Sequence, residues 1–228
     1  MTRARILRDL LASGRECDVR RLEEHAVELH LPVADVLVVA GHPVPGHLLP
    51  PERDSNVMRG FAYRVTYCNH PQLAALGEFL LALPREGTTQ EPAPARDPAA
   101  PDPFPAVLQG LMRNRGFGVR EFPFVGLSVS TIRGMLGGRN HRLSQLQAVA
   151  GPLGWRVADL AVLADEPLRP LDYGPMFCRH VGAVFLAAVA CTTEQLVRAA
   201  READRLSARE DHGAWQPVSE GIHDCPGG

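Results

Sequence analysis

The residues best suited to chemistry in this chain lie close together between positions 128 and 142. Small and hydroxyl-bearing side chains stand beside a guanidinium in the first part of this stretch, and basic and amide side chains follow in the second. The two sets are Ser128, Val129, Ser130, Thr131 and Arg133, and then Arg139, Asn140 and Arg142. The hydroxyl, amide and guanidinium groups among them can donate hydrogen bonds to phosphate oxygens and to the edges of bases, whereas the Val129 side chain has no donor. These residue types suit a surface that binds an anionic polymer.

Positive charge is concentrated around this stretch. The whole chain has 24 basic and 26 acidic residues, a net charge of −2. Residues 104–142 carry six arginines and one acid, Glu121, a local net charge of +5. The arginines are Arg113, Arg115, Arg120, Arg133, Arg139 and Arg142. Neutralisation of phosphates supplies most non-specific affinity for DNA, so this patch favours a nucleic-acid partner.

The sequence contains no pattern typical of an enzyme. It has no glycine-rich phosphate loop, nucleophile elbow or paired carboxylates, so we expect no catalysis and no cofactor. Three pairs of Cys and His stand two positions apart, at 68 and 70, 178 and 180, and 223 and 225. Zinc sites usually place two to four residues between ligands and need four ligands, so we expect incidental cysteines and no metal site.

A helix-turn-helix pattern positions the candidate residues. Residues 104–116 form an amphipathic helix, with apolar side chains on one side. Gly126 suits the left-handed conformation of a tight turn between helices, and Ser128 suits the N-cap of the next helix. Ile132 is expected in the core with Met135 or Leu136 one turn on, and the glycine pair at 137 and 138 ends the helix. The residues left exposed are Val129, Ser130, Thr131 and Arg133.

This stretch resembles the lambda-repressor-like (Cro/C1, or XRE-type) DNA-binding domain, most clearly over residues 107–164. The resemblance lies in GLSVSTIRGMLGGR followed by LSQLQAVAGPLGWRVADL. It implies that the helix after the glycine turn lies in the major groove. It also implies that Ser128 contacts phosphate, that Val129, Ser130 and Arg133 face bases, with Thr131 a further contact, and that the loop grips the backbone. The loop residues are Arg139, Asn140 and Arg142.

One position departs from the family pattern. Four residues before the turn glycine, where the family carries a small residue, this chain has Phe122 followed by Pro123. Proline is tolerated in the first turn of a helix and breaks its interior. We therefore expect the scaffold helix just before the turn glycine, which is the first helix of the motif, to begin late and be short, or to be tilted.

The chain also contains an internal repeat. Residues 15–43 align with residues 139–167 at an offset of 124, with ten of 29 positions identical, where chance gives roughly two. The similarity continues weakly at an offset of 123 through Cys68 and Cys191. A repeat of this length implies two copies of one structural unit. The first copy lacks the first two helices, so either translation starts upstream or this copy serves dimerisation or ligand sensing.

The predicted fold is all-α, with two related multi-helix units that are lambda-repressor-like and each end in a helix pair. Unit one spans residues 1–83 and unit two spans residues 104–207. Between them, residues 84–103 are rich in Pro and Ala, cannot build a core and should form an extended linker. Residues 208–228 should be a loosely held tail. The N-terminus lacks the apolar segment of a signal peptide, and we expect a cytoplasmic protein without a membrane partner.

Several residues elsewhere are expected to have structural roles. Asp35 and Asp159 recur in both copies, and an acid in the first turn of a helix, favoured by the helix dipole, explains them. We expect solvated side chains at Arg3, Arg5 and Arg8, and core side chains at Trp155 and Phe185.

Together these features predict a transcriptional regulator that binds double-stranded DNA through unit two. Such domains usually act in pairs on two half-sites. We expect a homodimer that pairs through unit one and the terminal helices, and a pseudo-dimer within one chain is less favoured because unit one lacks two helices. The alternative is a protein–protein interaction module that binds a protein partner through the same helices. A third hypothesis is a small-molecule sensor with a pocket near residues 177–191.

Overall fold

The computed structural model describes residues 2–13, 16–85, 87, 90–97, 102–139, 141–167 and 177–208. Eleven α-helices make up most of this part, which confirms the all-α class. In chain order they are α1 (Arg3–Ser13), α2 (Val19–Leu29), α3 (Val33–Val39), α4 (Ser55–Val65), α5 (His70–Leu81), α6 (Phe104–Arg113), α7 (Val129–Leu136), α8 (Leu143–Leu153), α9 (Val157–Leu163), α10 (Phe177–Ala188) and α11 (Thr193–Ala208). Two 3-10 helices span Gly46–Leu48 and Phe122–Val125.

Polar residues determine where several helices begin. Asp18, Asp54 and Asn69 each stand just before a helix, and each side chain accepts a hydrogen bond from a backbone N–H two or three residues further on. Asp and Asn are favoured at this position because the first N–H groups of a helix have no partner within it. The starts of α2, α4 and α5 therefore follow directly from the sequence.

Two helices of the first half have counterparts of equal length in the second half. Both α2 and α8 span 11 residues, and both α3 and α9 span 7 residues. In each case the second helix begins 124 positions after the first. The helix pairs predicted near the end of each unit are present as α4 with α5 and α10 with α11. The aligned segments of sequence therefore coincide with helices of equal length.

Helices of each half of the chain pack on helices of the other half, an arrangement that we call the crossing of the halves. In the terminal helices, α4 packs on α11, and α5 packs on both α10 and α11. At the other end, α1 lies against α9 and α6 lies against α3. Phe61 of α4 meets Phe185 of α10 edge to face, with ring centroids 6.0 Å apart, and both side chains are fully buried. One apolar core therefore runs through both halves.

Two glutamines make matching contacts in this bundle. Gln72 Oε1 accepts the N–H of Asn69, and Gln195 Oε1 accepts the N–H of Thr192, both at 2.9 Å. Each amide nitrogen then donates to a backbone carbonyl of the other half. Gln72 Nε2 lies 3.0 Å from the carbonyl oxygen of Leu206, and Gln195 Nε2 lies 2.7 Å from that of Pro84. Each glutamine thus caps its own helix and ties it to the opposite half.

Part of the Pro/Ala-rich stretch docks on unit one. Val44 and Ala93 form an antiparallel bridge, in which their backbones exchange hydrogen bonds of 3.2 and 2.9 Å. Arg96 donates to the carbonyl oxygens of Leu11 and Val39, at 3.1 and 3.5 Å. Ala93 is buried, so one residue of the stretch expected to form an extended linker belongs to the apolar core. Of the predicted tail, residues 209–228 lie outside the described residues.

Candidate nucleic-acid interface

A glycine turn and a serine cap set the start of α7. Gly126 has a φ of 80°, the left-handed conformation predicted for it, which strains residues with a side chain. Ser128 is the N-cap, and its Oγ accepts the N–H of Thr131 at 3.1 Å. The same oxygen lies 2.8 Å from the hydroxyl oxygens of Ser130 and Thr131. The helix ends at Leu136, where the predicted glycine pair follows.

The α7 helix has one buried and one exposed face. Ile132 and Met135 are buried on the inner face, as the apolar spacing predicts. Ser130 and Arg133 are exposed on the outer face, and no ion pair forms at Arg133 with any described carboxylate. Among the other candidates on this element, Ser128 is exposed and Val129 and Thr131 are half-buried. The structure thus presents the predicted polar side chains outward, on a helix whose other face holds it to the core.

Three residues of the loop after α7 were predicted to contact the DNA backbone, and two of them lie at the surface. Gly138 has a φ of 72° and turns the chain, and the N–H of Arg139 donates to the carbonyl oxygen of Gly134 at 3.1 Å. The side chains of Arg139 and Arg142 are both exposed. Asn140 lies outside the described residues. The guanidiniums that follow α7 are therefore free to face a partner.

The segment before Gly126, where the resemblance predicts the first helix of the motif, is a single 3-10 turn, Phe122–Val125. This agrees with the prediction that Phe122 and Pro123 shorten it. Phe122 is fully buried and meets Phe117 edge to face, with ring centroids 5.7 Å apart. An aromatic ring occupies the position where the family has a small residue, so the turn packs through a ring cluster rather than by close approach of two helices.

His141 lies in the loop between α7 and α8, and its side chain is buried. Its ring lies on Phe104, with centroids 4.5 Å apart, and neither ring nitrogen has a partner among the described residues. Burial lowers the pKa of His141, and the nearby charges of Asp102 and Glu166 oppose that effect. Because an ordinary histidine has a pKa of about 6.5, this ring is neutral at physiological pH. The positive charge of the loop therefore comes from its arginines.

Arg115 is not part of the surface patch, which corrects the sequence-based count of arginines. Its guanidinium is fully buried and makes two hydrogen bonds to the carboxylate of Asp35, at 2.9 and 2.6 Å. It also donates to the carbonyl oxygen of Leu153. Asn114 and Trp155 each donate a further bond of 2.9 Å to the same carboxylate. Asp35 is thus the centre of a buried network that joins the two halves.

Asp159 makes the corresponding contact with Arg3. Arg3 Nε lies 2.7 Å from the Asp159 carboxylate, and the guanidinium also donates to the carbonyl oxygen of Leu29. Burial raises the pKa of Asp159, and the bond and charge of Arg3 oppose that effect. Arg3 was expected to be solvated like Arg5 and Arg8, and this is wrong because α1 lies on α9 and places it beside a buried carboxylate.

These two ion pairs also correct the explanation given for the recurrent acids. Asp35 and Asp159 do stand in the first turn of α3 and α9, where the helix dipole favours them. Both are buried, however, and each binds an arginine from the opposite half. Their recurrence in the repeat was the available signal. The arginines gave none, since Arg3 and Arg115 do not correspond in the alignment.

A groove opens beside the start of α7, between unit one and unit two. Its volume is about 420 Å³. Side chains of α4 form one wall, and the segment before and into α7 forms the other. The lining residues are Arg59, Tyr63, Arg120, Glu121, Phe124 and Val129. Sequence reasoning missed this groove because its two walls are far apart in the chain.

Other site types have less support in the described residues. No group of three or more His, Cys, Asp or Glu side chains lies close enough there to hold a metal ion. His70 and His180, from two of the three Cys/His pairs, stack with ring centroids 4.8 Å apart. None of the helices in the described ranges combines the length and apolar character needed to cross a bilayer. No protein-family model, curated protein or solved structure matches the chain.

Proposed function

We propose that the protein is a cytoplasmic transcriptional regulator that reads double-stranded DNA with α7. The observation that carries this proposal is the outward position of Ser130 and Arg133, on a capped helix whose opposite face is buried. Hydroxyl and guanidinium groups presented in this way reach base edges in a major groove.

The charges around α7 support the same function. Arg120, Arg133, Arg139 and Arg142 are all exposed. Glu121, the single acid among residues 104–142, is 3% exposed and accepts the N–H of Gly118 at 2.8 Å. Residues 104–142 therefore contribute exposed guanidiniums and no exposed carboxylate, while Asp102, just before them, places one carboxylate beside Gly138. Such a surface attracts the phosphates on both sides of the groove.

We propose further that the two related units form a pseudo-dimer within one chain. The terminal helix pairs, which the sequence analysis assigned to pairing between chains, pack on each other inside the molecule. Gln72 and Gln195 each donate to a backbone carbonyl of the other half, and Asp35 and Asp159 each accept from an arginine of the other half, which fits an arrangement of two similar halves. At the repeat offset of 124, α1 corresponds to α7. Because α1 lies on α9, only α7 is presented as a reading helix in the described part of the chain, and a homodimer would supply the second half-site about one helical turn away.

The test begins with selection of bound fragments from the native genome by the purified protein, followed by sequencing. On a selected fragment, Arg133→Ala should weaken specific binding by about 1–3 kcal/mol and relax the preference at one base position. Arg5→Ala is the matched control, since Arg5 is an exposed arginine on α1. A wild-type protein that retains no genomic fragment even at low salt would refute the proposal.

A protein–protein interaction module is the second candidate. The observation that favours it is the first helix of the motif, which is only one 3-10 turn. Exposed apolar side chains at Val27 and Leu81, 77% and 61% accessible, also suit contact with a protein. Under this alternative, Arg133→Ala and Arg5→Ala should behave alike toward DNA.

A further inference from the structure

We propose that the groove between α4 and the start of α7 holds a DNA phosphate, and that Arg59 of unit one is part of the DNA interface. This inference rests on the proposed function of α7. Val129 is the first residue of α7 and lines the groove together with Arg59 and Arg120. The groove therefore adjoins the reading helix, although one of its walls belongs to the other unit.

The charges of the groove suit a phosphate. Arg59 and Arg120 are exposed. Arg59 donates a hydrogen bond to the uncharged amide oxygen of Asn56, at 3.0 Å. Within the described residues, neither guanidinium has a carboxylate at ion-pairing distance. Glu121 contributes one negative charge, is almost fully buried and is engaged by Gly118. The residues that line the groove therefore carry two guanidiniums and one carboxylate, and this excess of positive charge suits an anion.

The neighbouring side chains suit the same ligand. Tyr63 is 56% exposed, and its hydroxyl bonds that of Tyr67 at the surface. Tyrosine hydroxyls and arginines are common donors to phosphate oxygens. A helix that enters a major groove has a strand of the DNA backbone beside its N-terminal end. A phosphate of that strand would meet the groove at Val129, with Arg120 on one wall and Arg59 on the other.

Arg64 offers a matched control on the same helix. Its Nε is paired with Asp204 at 2.8 Å, and its guanidinium donates to the carbonyl oxygen of Gly60. Arg59→Gln and Arg64→Gln each remove one positive charge from α4. Only the first removes a charge from the groove, so a difference between them reports a local contact rather than a general loss of charge.

The experiment measures the affinity of each variant for one selected fragment as salt is raised. Arg59→Gln should bind more weakly at low salt, and its slope of log affinity against log salt should be shallower by about 0.9. A fourfold rise in salt should then cost it about threefold less affinity than it costs the wild type. Arg64→Gln should keep the wild-type slope. Phosphate-ethylation interference should show one position that matters to the wild type and not to Arg59→Gln.

The outcomes separate this inference from the proposal on which it rests. If the wild type binds, Arg133→Ala weakens it, and Arg59→Gln keeps both the wild-type slope and the interference pattern, the phosphate site is wrong and the regulator stands. Benzoate serves as a probe for a small carboxylic acid in the groove. If Arg59→Gln keeps the salt slope, and benzoate raises the melting temperature of the wild type but not that of Arg59→Gln, the groove binds a small acid and the inference is overturned. Failure of the wild type to bind DNA overturns both.

Discussion

At the scale of single residues, the buried carboxylate of Asp35 is the centre of the network that joins the two halves. It accepts bonds from Arg115, Asn114 and Trp155. Removing a carboxylate and a guanidinium from water costs several kcal/mol for each, and only close pairing with further hydrogen bonds offsets that cost. The network therefore has little tolerance for the loss of one member.

Asp35→Asn should destabilise the fold by about 3–5 kcal/mol, because it leaves the Arg115 guanidinium buried without a compensating charge. The measurement is urea denaturation followed by circular dichroism. Asp9→Asn is the control, since Asp9 pairs with Arg5 at 3.7 Å on an exposed face, where such pairs contribute less than about 1 kcal/mol. Equal midpoints for the two variants would show that the buried pair does not hold the halves together.

Sequence reasoning reached one side of these pairs and missed the other. The repeat identified Asp35 and Asp159 because both lie in the aligned segments. Their partners, Arg3 and Arg115, come from segments that the alignment does not relate. The sequence shows that an acid recurs. Only the packing of α1 on α9 and of α6 on α3 shows which arginine each acid contacts.

At the scale of elements, the turn that precedes α7 depends on a backbone conformation that glycine provides. Gly126 has a φ of 80°, and a Cβ placed there would meet no atom within 4 Å. Any effect of a side chain at this position must therefore come from the backbone itself. Gly77, within α5, is also free of neighbours within 4 Å and has no left-handed φ. The two glycines thus separate conformational strain from steric contact.

Gly126→Ala should lower the free energy of unfolding by about 1–2 kcal/mol, because an L-residue is strained in the left-handed region. Gly77→Ala should raise it by about 0.5–1 kcal/mol, because alanine loses less conformational freedom in a helix. Thermal melts of both variants beside the wild type test the pair. If both substitutions shift the melting temperature in the same direction, the conformation assigned to Gly126 is wrong.

The elements were predicted more fully than their partners. The start of α7, its cap at Ser128 and its end before Gly137 follow from local rules, because caps and apolar spacing act within a few residues. The choice of partner for α4 and α5 does not follow from such rules. An apolar helix face fits many other faces, so nothing in the segment around Phe61 identifies Phe185 as its neighbour.

At the scale of the whole molecule, the crossing of the halves determines how the protein holds together. The faces of α4 and α5 that carry Met58, Phe61 and Leu76 are buried in a bundle completed by α10 and α11. In the described ranges, the helices that pack on these faces come from the other half. The units defined by the repeat in sequence are therefore not independent in space.

Fragments 1–97 and 98–228, expressed together, should elute as a 1:1 complex with the helical content of the intact chain. Each fragment alone should lose most of its stable structure, because the apolar faces of its terminal helix pair would meet water. Size-exclusion chromatography with circular dichroism gives both readouts. Two fragments that each fold as a monomer, with no affinity for one another, would contradict the crossed arrangement.

The crossing also affects how the protein is made on the ribosome. After Leu81 has been synthesised, α4 and α5 cannot pack on α11 until the chain has been synthesised as far as Ala208, where α11 ends. At about 5–20 residues per second, that interval lasts on the order of ten seconds. Through it, the emerging chain carries an apolar surface that its final neighbours do not yet cover. A nascent protein of this design is a natural client for chaperones, and translation pauses within the second half would prolong its exposure.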